Sequence, residues 1–164
     1  MTSSVRSSRR TTTGAFQEAG LPVRAKLAAA WTSFMFLYLY VDYLHLYKPG
    51  SLDEILVGVV HEFETGPTFV GLALTLLAVP ILMVVLSTTL PARTGRAANL
   101  VVAALYIPFS IYNATGEESW DYAYFYAFSI GLEVLLLAFV LRAAWTWPRT
   151  VRATAGRDLG GARV

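Results

Sequence analysis

The chain has no cysteine, which excludes disulfides, thiolate metal sites and cysteine nucleophiles and leaves the redox character of its compartment unread. Charge is scarce as well. At 15% charged and 55% hydrophobic, with a positive mean hydropathy, 164 residues are too apolar for an ordinary soluble domain and read as one membrane domain. No Gly-rich phosphate loop, no Ser–His–Asp ordering, no nucleotide motif and no internal repeat is visible. Nothing in the sequence calls for a cofactor. The basic tails suit anionic lipid better than nucleic acid.

The apolar residues are gathered into long blocks, and these predict four spans at about 26–47, 67–89, 97–114 and 122–147. Crossing about 30 Å of hydrocarbon takes roughly 20 helical residues, which the third block approaches and the others exceed. The flanks are polar. Residues 1–24 form a Ser-, Thr- and Arg-rich tail that fits an organellar targeting segment only loosely, and residues 149–164 form a second basic tail. The 25–148 region is the transmembrane domain.

Orientation follows from the basic residues. Arg6, Arg9, Arg10, Arg24 and Lys26 precede or open the first span, Arg93 and Arg96 lie between the second and third, and Arg142, Arg149, Arg152, Arg157 and Arg163 close or follow the fourth. The other two connections carry Asp53, Glu54, Glu62, Glu64, Glu117, Glu118 and Asp121, with Lys48 the only base. The positive-inside rule then puts both termini and the Leu90–Arg96 connection in the cytoplasm. Tyr40, Tyr43, Tyr47, Trp120, Tyr122, Tyr124, Trp145 and Trp147 suit interfacial belts.

Between the first two spans, Leu52, Ile55, Leu56, Val59, Val60 and Phe63 recur at helical spacing opposite Asp53, Glu54, His61, Glu62 and Glu64. This predicts an amphipathic helix over 51–65, capped by Ser51 with Glu54 and closed at Gly66. It is too short to span, so it lies on the outer interface or folds over the bundle. The fold class is therefore all-α: a polytopic four-helix membrane bundle with an extra amphipathic interfacial helix between spans 1 and 2.

Ionisable groups in hydrocarbon are the informative exceptions, since one at a helix centre costs roughly 2.5–3.5 kcal/mol on insertion scales and so turns inward. Asp42 in the first span and Glu133 in the fourth qualify. At about 100° per residue, Trp31, Tyr38, Asp42 and His45 share one face, as do Asn99, Tyr106, Ser110 and Asn113, and Tyr122, Tyr126, Ser129 and Glu133. The second span offers only Thr68, Gly71, Thr75 and Ala78. The expected polar interior, a candidate ligand site, is Asp42, His45, Tyr38, Tyr106, Ser110, Asn113, Tyr126 and Glu133. Pro80 and Pro108 release the carbonyls of Leu76 and Ala104 from their usual donors. Ala123, Ala127 and Gly131 form a small-residue strip that suits close contact within the bundle or in a homo-oligomer.

Three functions compete. The first is a non-enzymatic bundle that binds or passes a small solute or a proton. The second is an assembly protein whose polar stripes only lock helices together. The third is a membrane-embedded enzyme acting on lipid or quinone, with Asp42 and His45 as acid and base. His45, His61, Glu62 and Glu64 supply the donor types for a divalent ion, but at no spacing that matches a metal signature.

The stretch Tyr38-Leu-Tyr-Val-Asp42-Tyr-Leu-His-Leu-Tyr47-Lys-Pro49-Gly50, with the acidic segment and three further spans, resembles a family of small bacterial four-span membrane proteins of unknown function. The resemblance covers about residues 25–147 and implies a bacterial inner-membrane location, but no activity, cofactor or catalytic residue. A fainter likeness in layout to DoxX-like proteins rests on span count alone.

Overall fold

The computed structural model describes residues 20–60, 63–113 and 120–148. Four long helices dominate: α1 (Val23–His45), α3 (Pro67–Thr89), α4 (Ala92–Asn113) and α5 (Ala123–Trp145), the last preceded by a 3-10 turn at Trp120–Tyr122. All four are long and apolar enough to cross a membrane. At about 1.5 Å per residue, 23 residues reach about 34 Å, enough for the hydrocarbon core.

The helices run alternately up and down as a ring. α1 packs against α3 and α5, α4 packs most extensively against α5, and the α3–α4 seam is the least closed. One end carries Arg24, Lys26, Arg93, Arg96 and Arg142, and the other carries Asp53, Glu54, Glu64 and Asp121. The surface is reversed relative to a soluble bundle. Leu39, Leu74, Leu82, Leu105 and Leu135 point outward, whereas Ser87, Asn99, Ser110, Ser129 and Glu133 are buried. Lipid rewards that arrangement, because polar side chains in a bilayer find partners only between helices. Tyr40, Tyr43, Tyr47, Trp120, Tyr124 and Trp145 lie exposed near the helix ends, as an aromatic belt requires.

The basic half of the bundle is solid. Leu27, Trp31, Phe34, Met83, Leu137 and Val140 are almost wholly enclosed. A polar knot ties three helices there: Trp31 Nε1 on α1 donates to Asn99 Oδ1 on α4 (2.8 Å), Ser87 Oγ on α3 donates to the same oxygen (3.1 Å), and Asn99 Nδ2 donates to the Gly95 carbonyl (2.8 Å). At the rim, Arg96 Nε donates to the Ala144 carbonyl (3.1 Å) with its guanidinium over Trp145, and Arg24 lies over Trp147. The arginine stems lie along the bundle while their charges stay at its end.

Three boundaries differ from expectation. α4 begins at Ala92, so Arg93 and Arg96 are helical and the connection shrinks to Leu90 and Pro91, because hydropathy stops at charge but a helix continues through an interface. α1 begins at Val23, immediately after Pro22, and takes Val23 and Arg24 from the predicted tail. The segment 51–65 is not one helix. α2 (Ser51–Leu56) ends after six residues, and an antiparallel hairpin of β1 (Val59–Val60) and β2 (Phe63–Glu64) follows. Gly58 takes φ 83°, closed to most side chains, and starts the hairpin, while β-branched Val57, Val59 and Val60 favour strand over helix. Gly50, not Ser51, caps α2, and Gly66 is the N-cap of α3. His61, Glu62, Glu117, Glu118 and most of both predicted tails lie outside the described residues.

Candidate functional site

Above the solid core the helices part around a cavity of about 1140 Å³. Side chains of all four long helices line it, and α2 and the hairpin add Ser51, Glu54, Ile55, Val60 and Phe63 as a partial cover. Two contacts between described residues help fasten the cover. His45, the last residue of α1, faces Tyr126 Oη of α5 through Nδ1 (2.7 Å) and the buried Ser51 Oγ of α2 through Nε2 (3.4 Å), and Phe63 of the hairpin stacks on Phe69 of α3.

Tyr38, Asp42, His45, Tyr106, Ser110, Asn113, Tyr126 and Glu133, the eight residues expected in the polar interior, all line this cavity. Their depths differ. Glu133 (5% exposed), Ser110 (1%) and Tyr106 (7%) form the floor, whereas Asp42 and Asn113 are exposed toward the mouth. The Ser110 hydroxyl lies beside the Glu133 carboxyl but completes no hydrogen bond among the described residues. Asp42 and Glu133 interact electrostatically with each other and with Tyr38. No lysine or arginine pairs with either carboxyl among the described residues.

Other polar residues at this level join helices. The Asn113 amide donates to the Tyr38 hydroxyl, linking α4 to α1. Tyr106 Oη donates to the Leu76 carbonyl. That carbonyl is the one Pro80 deprives of its helical donor, so the tyrosine repairs the break from the neighbouring helix. Pro80 is fully buried, while Pro108 on α4 lies outside, exposed. Phe34, Tyr38, Tyr106 and Phe109 form a contiguous aromatic wall with neighbouring centroids 5.5–6.0 Å apart.

Sequence reasoning missed the opposite wall. Thr68, Gly71 and Thr75 of α3 face outward, with Thr75 Oγ1 donating to the Gly71 carbonyl (2.7 Å), and the helix offers the cavity Phe69, Leu72, Ala73, Leu76, Leu77 and Pro80. An almost uniformly apolar helix carries no periodicity to orient it. Ser87 was missed too, standing in a Ser-Thr-Thr run at the helix end. Ala127 and Gly131 lie on the outer surface, so their strip joins no helices within the bundle. The described residues hold no group of three or more His, Asp and Glu placed for a metal ion.

Residues 22–154 match the family of unknown function DUF6326, and the chain belongs to that family. No curated protein and no solved structure matches it.

Proposed function

We propose that this multi-pass membrane protein binds a small solute in a blind cavity that opens at the acidic end of the bundle. The observation that carries the reading is the floor: Glu133 and Ser110, from different helices, are almost fully enclosed and line a cavity large enough for a drug-sized molecule. Burying such groups is unfavourable unless something hydrogen-bonds them. Binding is favoured over passage because Trp31, Phe34, Met83, Leu137 and Val140 fill the other half of the bundle. With the basic end in the cytoplasm and both termini inside, the mouth opens at the outer face of the membrane.

A cavity-filling variant tests this. Ala73→Trp places an indole within the cavity. Native mass spectrometry of the gently purified protein is expected to show a bound small molecule in the wild type and its loss in Ala73→Trp. An identical spectrum for the two, with Ala73→Trp still folded, counts against the reading.

A second reading, that polar stripes serve assembly alone, draws support from the Trp31–Asn99–Ser87 knot. It accounts for that layer and for Tyr38–Asn113. It leaves the carboxyls of Asp42 and Glu133, which no lysine or arginine among the described residues meets, without a role.

A further inference from the structure

We infer that the cavity selects an organic cation, an ammonium or comparable group carried on an apolar body, and this rests on the binding reading above. Among the described residues, the formal charges that line it are Asp42, Glu54 and Glu133 against Lys48. Lys48 sits at the rim with its ammonium 5.6 Å from the centre of the Tyr122 ring. The two membrane-level carboxyls have no lysine or arginine partner among the described residues, so an incoming cation meets two acids without displacing a described base. An anion meets the same two acids and is repelled.

The walls suit the same ligand. Tyr38 interacts electrostatically with both acids, and together with Tyr106, Phe34 and Phe109 it supplies aromatic rings to the lining, side chains that attract cations. The apolar wall of α3 can take a hydrocarbon or aryl body. Acids at two depths, Glu133 on the floor and Asp42 toward the mouth, give a cation successive stations along the path of entry.

The full-length protein in a neutral detergent allows a direct test by equilibrium dialysis with three probes of similar shape: tetraphenylphosphonium, the neutral triphenylphosphine oxide and the anion tetraphenylborate. The expected result is saturable binding of the phosphonium, roughly tenfold or more tighter than the oxide, with the borate weakest. Asp42→Asn and Glu133→Gln are each expected to weaken phosphonium binding by roughly tenfold and leave the oxide unchanged, while Glu64→Gln, on the exposed β2, changes neither. Retained oxide binding also shows that the variants are folded. Displacement of the phosphonium by added phosphatidylethanolamine but not phosphatidylglycerol would identify a lipid ammonium headgroup as the source of the cation, and displacement by neither points to a free organic cation. Equal binding of phosphonium and oxide, or tighter binding of the borate, overturns the charge selectivity while leaving solute binding intact. Absence of saturable binding by all three also overturns it, and the mass-spectrometric comparison with Ala73→Trp then judges the broader reading separately.

Discussion

Tyr106→Phe is a perturbation whose effect can be worked out in advance, because it removes one oxygen and little else. The ring keeps its contacts with Trp31, Phe34 and Phe109, whose centroids lie 6.4, 6.0 and 5.5 Å away, so the packing contribution is held constant. What disappears is the bond to the Leu76 carbonyl, which Pro80 has already stripped of its helical donor. Leaving a fully buried carbonyl unpaired costs about 1–3 kcal/mol, and the Leu76 carbonyl, only part-buried, lies toward the low end, whereas hydrogen bonds between membrane helices average about 0.6 and reach about 1.7 kcal/mol. A loss of about 1–1.5 kcal/mol is therefore expected. Pro80→Ala restores an N–H four residues beyond Leu76, and in that background the Tyr106→Phe loss should fall below about 0.5 kcal/mol. The packing lost with the buried proline ring enters both arms and cancels. The assay is SDS titration in mixed micelles, followed by circular dichroism, for the wild type, both single variants and the double variant. Equal losses in the two backgrounds would refute the claim that the tyrosine stands in for the donor that the proline lacks.

Asn99→Leu should destabilise by about 2 kcal/mol in the same titration, because it leaves the Trp31 N–H and the Ser87 hydroxyl enclosed without their acceptor; Ser87→Ala, which removes one donor only, should lose less than half of that. His45→Phe cuts the link from α1 to Ser51, so amide exchange across residues 51–56 should quicken several-fold with little change in the melting temperature; unchanged exchange would show that the hairpin alone holds the cover. The absence of cysteine makes topology simple to read: a thiol at Ala92→Cys should be reached by a membrane-impermeant reagent only from the cytoplasm, and one at Asp53→Cys only from outside.

What could be read from the sequence follows from how strongly lipid sorts residues. Against an apolar background a single carboxyl or amide fixes the angle of a helix, so Asp42, Glu133 and the Asn99–Asn113 stripe pointed α1, α5 and α4 inward before any coordinates. α3 lacks such a marker, and its orientation came only with packing. Helical spacing also failed over 51–65, where Val59, Val60 and Phe63 satisfy a helical period that Gly58 interrupts through its backbone conformation. A glycine in a run of turn and strand formers was the available warning. The three helix faces that carry the eight polar residues could be read from their spacing, but the depth of each residue could not, because depth depends on where the helices part.

That parting explains why polar residues of the same kinds have different surroundings in the two halves of the bundle. Toward the basic end, α3 and α4 are tied by the two-residue connection at Leu90 and Pro91, and each buried polar group of the knot reaches a partner across the gap. Toward the acidic end, α3 continues into the hairpin and diverges from α4, and the Tyr106–Leu76 bond marks the last level at which a described hydrogen bond joins the two helices. Beyond it the facing side chains on α3 are apolar, so Ser110 on α4 and Glu133 on α5 meet no polar group from that side. Shortening the gap would bury the carboxyl against leucine, which is unfavourable, and only an occupant that presents polar or cationic groups to the floor and apolar surface to α3 satisfies both walls at once. The shape of the bundle and the chemistry of its cavity are thus two consequences of one helix whose inner face is apolar on the acidic side of Pro80.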